Sequence, residues 1–241
     1  MLNFDPVHGL LPKDALLAAS LRSAATAPSA SVHTRGARPA AGAGATLEFT
    51  NNQMIFSEGD EAEHFYKVVS GRVRLCKMRF DGARQIVDLL IPGDIFGLEC
   101  GKEFTLTGEA IGRTVLERYA AGQIERLSDE RLEVRRQLMA MLQSNLSAAR
   151  NHMMMLGRET ARERVAAFLV LLAGRFGITE CGVLDLGMGR RDIADYVGLA
   201  LETVCRELST LQQEGLIEIL DHRRVAIGDV AALQSVSEGQ P

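Results

Sequence analysis

The chain contains no tryptophan, and only 5% of it is aromatic. Its four cysteines, Cys76, Cys100, Cys181 and Cys205, are scattered and form no CxxC pair. That excludes a disulfide framework and the usual zinc signatures, and it fits free thiols in a reducing cytosol. No stretch approaches the ~18 uninterrupted apolar residues of a membrane helix. Nor does the N-terminus combine a basic start with a long apolar run, so no secretory signal is read and a cytoplasmic location is expected. An excess of positive charge is missing too: 27 Lys and Arg stand against 31 Asp and Glu, a net charge of −4. A globally basic nucleic-acid binder is thereby excluded, and any DNA-binding groups must be placed locally.

What is present divides into unlike stretches. With 241 residues, 46% of them hydrophobic, the chain can bury one large core or two small ones. Residues 1–46 are read as a disordered or loosely ordered arm, with a short helix over Pro12–Leu21. From Arg22 to Thr46 the arm is Ala, Ser, Gly, Pro and Arg, with too little apolar surface to repay ordering. From residue 47 to 126, short apolar runs (MIFSEGD, HFYKVVSG, RVRLCKM, QIVDLLIPGD, TVLERYA) read as strands. They are separated by turns at Glu58-Gly59-Asp60, Ser70-Gly71, Asp81-Gly82 and Pro92-Gly93-Asp94. This spacing predicts a compact antiparallel sandwich or barrel, so the whole is an α+β protein.

The period then changes. Ala121 to Leu156 reads as one long helix, with residues 127–157 as the dimerisation segment. Leu132, Met139, Leu142, Leu146, Ala149, Met153 and Leu156 recur at alternating three and four spacing, with Arg135 the one break. The pattern outlasts a typical helix of ~11 residues, which favours a seam between two copies over a helix lying on its own core. Residues 158–241 open with a helix to about Arg175. Asp192 to Val197, the turn Gly198-Leu199-Ala200 and Glu202 to Gln213 then form a helix-turn-helix ended by the cap glycine Gly215. Leu216 to Leu220 and Arg224 to Ile227 add a small β wing around Asp221-His222-Arg223.

In a helix-turn-helix the second helix enters the major groove of double-stranded DNA. Glu202 and Arg206, one turn apart, share a face of that helix. Arginine can donate to guanine O6 and N7, a carboxylate can accept from cytosine N4, and Leu201 can pack on a thymine methyl. With the adjacent Cys205 these form the expected base-reading set. On an isolated helix the same pair would be an exposed i,i+4 salt bridge worth ~0.2–0.5 kcal/mol. From Arg158 to Asp229 there are nine arginines, no lysines and twelve acidic residues. Phosphate contacts are therefore expected from a few local groups, Arg190, Arg191, Arg223 and Arg224, each of which could equally be a solvated surface charge.

SEGDEAEHFYKVVSGRVRL, the PGD turn, the long helix and ETVCREL, in that order, resemble the cyclic-AMP receptor protein and fumarate–nitrate regulator superfamily over residues 47 to about 228. RRDIADYVGLALETVCREL is most similar to the FixK-type regulators of alphaproteobacteria, which govern microaerobic and nitrogen-fixation genes. The resemblance implies that the strands form an antiparallel β-roll of the cyclic-nucleotide-binding kind, in a homodimeric activator that contacts RNA polymerase and reads a TTGA-type palindromic operator through Leu201, Glu202 and Arg206. Two recognition helices must then sit about one helical turn, ~34 Å, apart.

The roll lacks the family's sensory groups. Nucleotide-binding relatives clamp the cyclic phosphate with an Arg-Ser pair, whereas GLECGKEFTLTGEAIG has none and Lys102 is its only cation. An iron–sulfur cluster needs about four thiolates, and residues 1–75 hold no cysteine, leaving Cys76 and Cys100, read as half-buried strand or turn residues. Haem would need His64 or Cys76 as axial ligand, and a histidine beside Phe65 and Tyr66 reads as structural. No iron–sulfur cluster, haem, cyclic nucleotide or metal is expected. Cys205 is the candidate redox site, since oxidation would add bulk and charge at the DNA face; a small side chain that simply lets the helix approach the groove is the alternative. Some FixK proteins place a redox cysteine at the position of Gly189, a departure here. The rival reading for the whole chain is a ligand-responsive module acting through a protein partner. An enzyme is disfavoured, because His64 is the only histidine of the roll.

Overall fold

The computed structural model describes residues 44–239, so the short helix expected over Pro12–Leu21 and most of the arm lie outside the described residues. Within it the chain forms two compact units: residues 44–77 and 89–147, and residues 78–88 with 148–239. Among the described residues no helix is long and apolar enough to cross a membrane.

The roll is antiparallel, with β1 (Ala45–Phe49), β2 (Met54–Phe56), β3 (His64–Met78), β4 (Arg84–Leu90), β5 (Ile95–Phe96) and β6 (Thr107–Ala120). Its order is β1-β6-β3-β4, with β2 beside β6 and β5 beside β3. Strand β1 begins two residues inside the expected arm. Along β3, Tyr66, Val68 and Val73 pack into one buried cluster and Phe65, on the other phase of the strand, into another. Phe56 stacks on Phe104 at 3.8 Å and lies 5.6 Å from Tyr66 and 6.0 Å from Phe96. Leu90, Leu116 and Val68 complete that cluster. Each such side chain contributes roughly 1.5–3 kcal/mol on burial, which explains how a chain poor in aromatics holds a small roll together.

Ser70-Gly71 is not a turn. Strand β3 runs through it, with register shifts against β6 on both sides of Ser70. Gly71 sits at φ +83°, where a Cβ would meet the Arg113 carbonyl oxygen at 2.4 Å. The glycine is needed for a bulge, which a sequence reading takes for a turn because both require positive φ.

The single helix expected from Ala121 is two, α1 (Ala121–Glu130) and α2 (Leu132–Leu156). Arg131 between them is extended, at φ −133° and ψ 110°. The expected domain limit at residue 126 falls inside α1, because Ile124 and Leu127 are buried with Phe65, Ile95 and Tyr119. Val134 of α2 joins the same cluster.

In the C-terminal unit, α3 (Ala161–Phe176) starts at a capping box: Thr160 Oγ1 accepts from the Glu163 N–H and donates to its carboxylate. Then come β7 (Val183–Asp185), α4 (Arg190–Val197), α5 (Leu201–Gln213), β8 (Ile217–Ile219), β9 (Arg224–Ile227) and α6 (Val230–Ser237). The wing hairpin gains β7 as a third strand, in the order β7-β9-β8. Phe168, Leu169, Leu184, Ile193, Val197, Val204, Leu211 and Leu233 make the core beneath it.

Candidate nucleic-acid interface

Helices α4 and α5 meet at Gly198, left-handed at φ 67° and ψ 41°. That conformation turns the chain sharply and lets the Leu199 N–H bond back to Ala194 O at 3.1 Å. On α5, Val204, Leu208 and Leu211, spaced by four and three, are buried. The remaining positions are thereby forced outward: Glu202, Cys205 and Arg206 are exposed on adjoining turns, and Leu201 is half-buried at the helix start. Glu202 lies in the first turn, where the helix dipole favours a carboxylate. Arg206, 68% exposed, pairs with its neighbour Glu207 at 3.3 Å. Among the described residues Glu202 has no ion-pair partner, so the i,i+4 bridge that would explain the spacing without DNA is not formed.

The four expected phosphate arginines do not behave alike. Arg191 is 74% exposed and only 4.0 Å from Asp195. Arg223 is exposed at the wing tip. Arg224, 58% exposed, is tied to Asp221 through a 2.7 Å bond from Nε. Asp221 also accepts from the Arg223 and Arg224 N–H groups at 2.7 and 2.9 Å. The backbone bond from Arg223, followed by the Arg224 side chain, holds its carboxyl down at about 2. Arg190 is turned partly inward: burial lowers its guanidinium from the ordinary value, while Cys205 on α5 and Asp221 on the wing act against that shift. Its Nη1 is buried without a hydrogen-bond partner among the described residues. One cation thus lies between the recognition helix and the wing.

The expected seam is largely an uncovered stripe on α2. Leu132, Met139, Leu142, Leu146 and Met153 are each 47–63% exposed. Ala149 is exposed and Leu156 half-buried. The opposite side carries the buried Val134 and Met155.

In the roll, the stretch from Gly97 to Gly112 carries Lys102, which is exposed, while Arg74 of β3 pairs with its Glu109 at 2.6 Å and Lys77 Nζ donates to its Thr105 carbonyl at 3.1 Å. Glu99 accepts from Thr105 Oγ1 at 3.1 and 3.2 Å, and Phe104 is buried, 4% exposed. Cys76 is buried to 1% and Cys100 exposed, so neither is the half-buried thiol expected; Cys76 lies on β3, and Cys100 in the open loop after β5. His64 and Cys76 stand near opposite ends of β3.

Sequence reading missed Arg84 altogether. Its guanidinium bonds Asp192 Oδ1 at 2.6 Å and Asp195 Oδ2 at 2.7 Å, both on α4. No local pattern joins residues more than a hundred positions apart.

Three comparisons bear on these arrangements. Residues 46–131 match the family of cyclic nucleotide-binding domains and residues 163–236 that of Crp-like helix-turn-helix domains. The nitrogen fixation regulation protein FixK of Azorhizobium caulinodans is 40% identical over 204 residues, 82% of each chain. FixK of Rhizobium meliloti is 35% identical over 201 residues, 83% of this chain and 91% of that one. The structure of FixK2 from Bradyrhizobium japonicum superposes with a TM-score of 0.75 at 38% identity, covering 80% of this chain and 96% of that one. With a roll, a helix-turn-helix and these relatives along four-fifths of its length, the chain belongs to the FixK-like branch of the cyclic-AMP receptor protein and fumarate–nitrate regulator family of DNA-binding transcriptional regulators.

Proposed function

We propose that two copies of this chain, joined along the α2 stripe, read a TTGA-type palindromic operator and activate transcription by contacting RNA polymerase in the cytoplasm, in microaerobic or nitrogen-fixation gene control. The outward face of α5 carries the reading: Glu202, Cys205 and Arg206 stand exposed on it, the glutamate without an ion-pair partner among the described residues, and Leu201 begins the helix. Arg191, Arg223, Arg224 and the inward Arg190 supply phosphate contacts, which fix register without reading sequence. Five large apolar side chains half-open to water on one helix stripe support the dimer, since isolated monomers rarely expose such a patch. The names of the FixK relatives support the gene class.

The roll, in this reading, works without cyclic nucleotide, haem or iron–sulfur cluster. A carboxylate, Glu99, bonded to Thr105, stands in the stretch where a phosphodiester would need a cation. The test is a mobility shift on a duplex carrying a TTGA palindrome, with and without added cyclic AMP. Binding that is independent of the nucleotide and weakened when either half-site is scrambled is expected; absence of binding to the palindrome would overturn the reading.

Cys205 is the redox element of the proposal. Its thiol is exposed on the reading face and within electrostatic reach of Arg190. Oxidation would place charge against DNA. Peroxide should release wild-type protein from the duplex and leave Cys205→Ser bound; equal sensitivity of the two would sink the idea.

A further inference from the structure

Residues 78–88, the hairpin between β3 and β4, pack with the C-terminal unit. The hairpin is closed by the Arg79 N–H on Ala83 O at 2.9 Å and the Gly82 N–H on Arg79 O at 3.0 Å. Beyond its tip, four successive backbone or side-chain groups engage the helices of that unit. Arg84 Nη2 reaches both Asp192 and Asp195, and its Nε donates to Asp195 Oδ2 at 2.9 Å. Gln85 Nε2 donates to Tyr196 O at 3.3 Å. The Val87 carbonyl faces His152 Nδ1 at 3.2 Å, and His152 Nε2 faces Tyr196 O at 2.9 Å. Asp88 pairs with Arg175 of α3 at 3.4 Å. The His152 ring also stacks on Tyr196 with centroids 4.0 Å apart.

These contacts answer two physical needs of α4. Asp192 and Asp195 are neighbours on one face of the helix and only 13% and 14% exposed. Two carboxylates held together with so little water repel unless a cation lies between them, and Arg84, 21% exposed, is that cation. The Tyr196 carbonyl belongs to the last turn of α4, which has no intrahelical partner for it. Gln85 and His152 supply one.

We propose that Arg84 is a positioning residue for DNA binding: by bridging Asp192 and Asp195 it fixes α4, and α4 in turn fixes the recognition helix α5. The second link is already made by packing, because Ile193 and Val197 of α4 and Val204 and Leu208 of α5 are all buried around the Gly198 turn. The ion pairs that Arg84 makes with Asp192 and Asp195 act on α4. Loss of Arg84 therefore weakens every duplex alike, whereas loss of Glu202 or Arg206 changes which duplex is preferred. The tie is built of side chains and backbone alone and requires no ligand. It rests on the reading of α5 as the DNA-binding helix.

The experiment measures affinity for the TTGA palindrome and for a duplex altered at one G·C pair, together with amide exchange, in wild type, Arg84→Ala and Arg84→Lys. For Arg84→Ala, binding to both duplexes should fall by about tenfold or more with their ratio unchanged. Exchange should quicken in residues 190–197 while α3 and β8–β9 stay protected. Arg84→Lys keeps the charge but not the fork, and should lie between the two. An Arg84→Ala affinity within about twofold of wild type overturns the proposal whatever the exchange shows. An affinity loss with exchange quickened throughout the C-terminal unit, or with no change at 190–197, or with an altered ratio, overturns it equally. Wild-type protein that binds neither duplex would overturn the DNA reading, and the positioning role with it.

Discussion

In the roll, charged side chains pair with partners far along the chain; on α5 the expected base-reading side chains stand exposed, and Arg206 pairs only with its neighbour Glu207 among the described residues. Arg74, 4% exposed, is held by Glu109 at 2.6 Å and by Asn52 at 2.9 Å. Lys77 is held by Glu58 at 2.6 Å, and Glu99 by Thr105. On the recognition helix, Glu202, Cys205 and Arg206 stand exposed over a core of Val204, Leu208 and Leu211. Two regions of one chain thus show opposite uses of charge. Buried pairs specify and support a fold, while exposed groups on one helix face can pair with a ligand that brings the complementary atoms.

The sharpest way to break this contrast is to damage each region and measure both properties. Phe56→Ala removes the ring on which Tyr66, Phe96 and Phe104 converge, and should cost ~3–5 kcal/mol of stability in denaturant unfolding. At a temperature where the variant remains folded, base preference should be that of wild type. Next in size, Arg206→Ala and Glu202→Ala should each lose ~1–3 kcal/mol of discrimination between half-sites differing at the G·C pair. Their unfolding free energies should stay within ~0.5 kcal/mol of wild type, as for exposed positions elsewhere. A large stability loss in either would show that the α5 groups serve the fold after all.

How much of this was legible beforehand follows from the range of the interactions. Helix α5, the Gly198 turn and the wing strands β8 and β9 are written in short-range signals: a buried stripe at three and four spacing, a left-handed glycine, alternation around Asp221. Strand β7 is three residues long and α6 eight, too short for periodicity to separate them from loop. The stripe on α2 was readable because its period runs on, but the break at Arg131 was not. Nothing in the local pattern marks an extended residue there; the burial of Ile124 and Leu127 against the roll sets the direction of α1. The Arg84 bridge spans 108 and 111 positions, and the sequence shows only an arginine in a strand and two aspartates in a helix. Local reading finds the groups that face a partner and misses those that hold them in place.

A smaller effect separates positioning from reading within the interface itself. Arg223 is exposed at the wing tip and carries no base-reading role. Arg223→Ala should weaken binding about equally for matched and altered half-sites, and reduce the salt dependence of log K by about one phosphate contact. A change in base preference would move the wing into the reading set.

The smallest expected effect is a pH dependence of the wing. Asp221 accepts three hydrogen bonds from Arg223 and Arg224, and its carboxyl sits at about 2, below the ordinary 3.8. A carboxyl lowered on folding contributes stability that is complete above its unfolded value and is lost as pH falls through the folded one. The wing turn should therefore be intact at pH 5 and loosen progressively between pH 3.8 and about 2, as amide exchange of Arg223 and Arg224 would report. Asp221→Asn keeps an acceptor but cannot titrate, and should flatten the profile in that window. Because Asp221 is about a third exposed, global unfolding should hardly register the change, so the signal belongs to the local amides. If wild type and Asp221→Asn lose wing protection along the same pH curve, the carboxylate is not what orders the turn that presents Arg223 and Arg224.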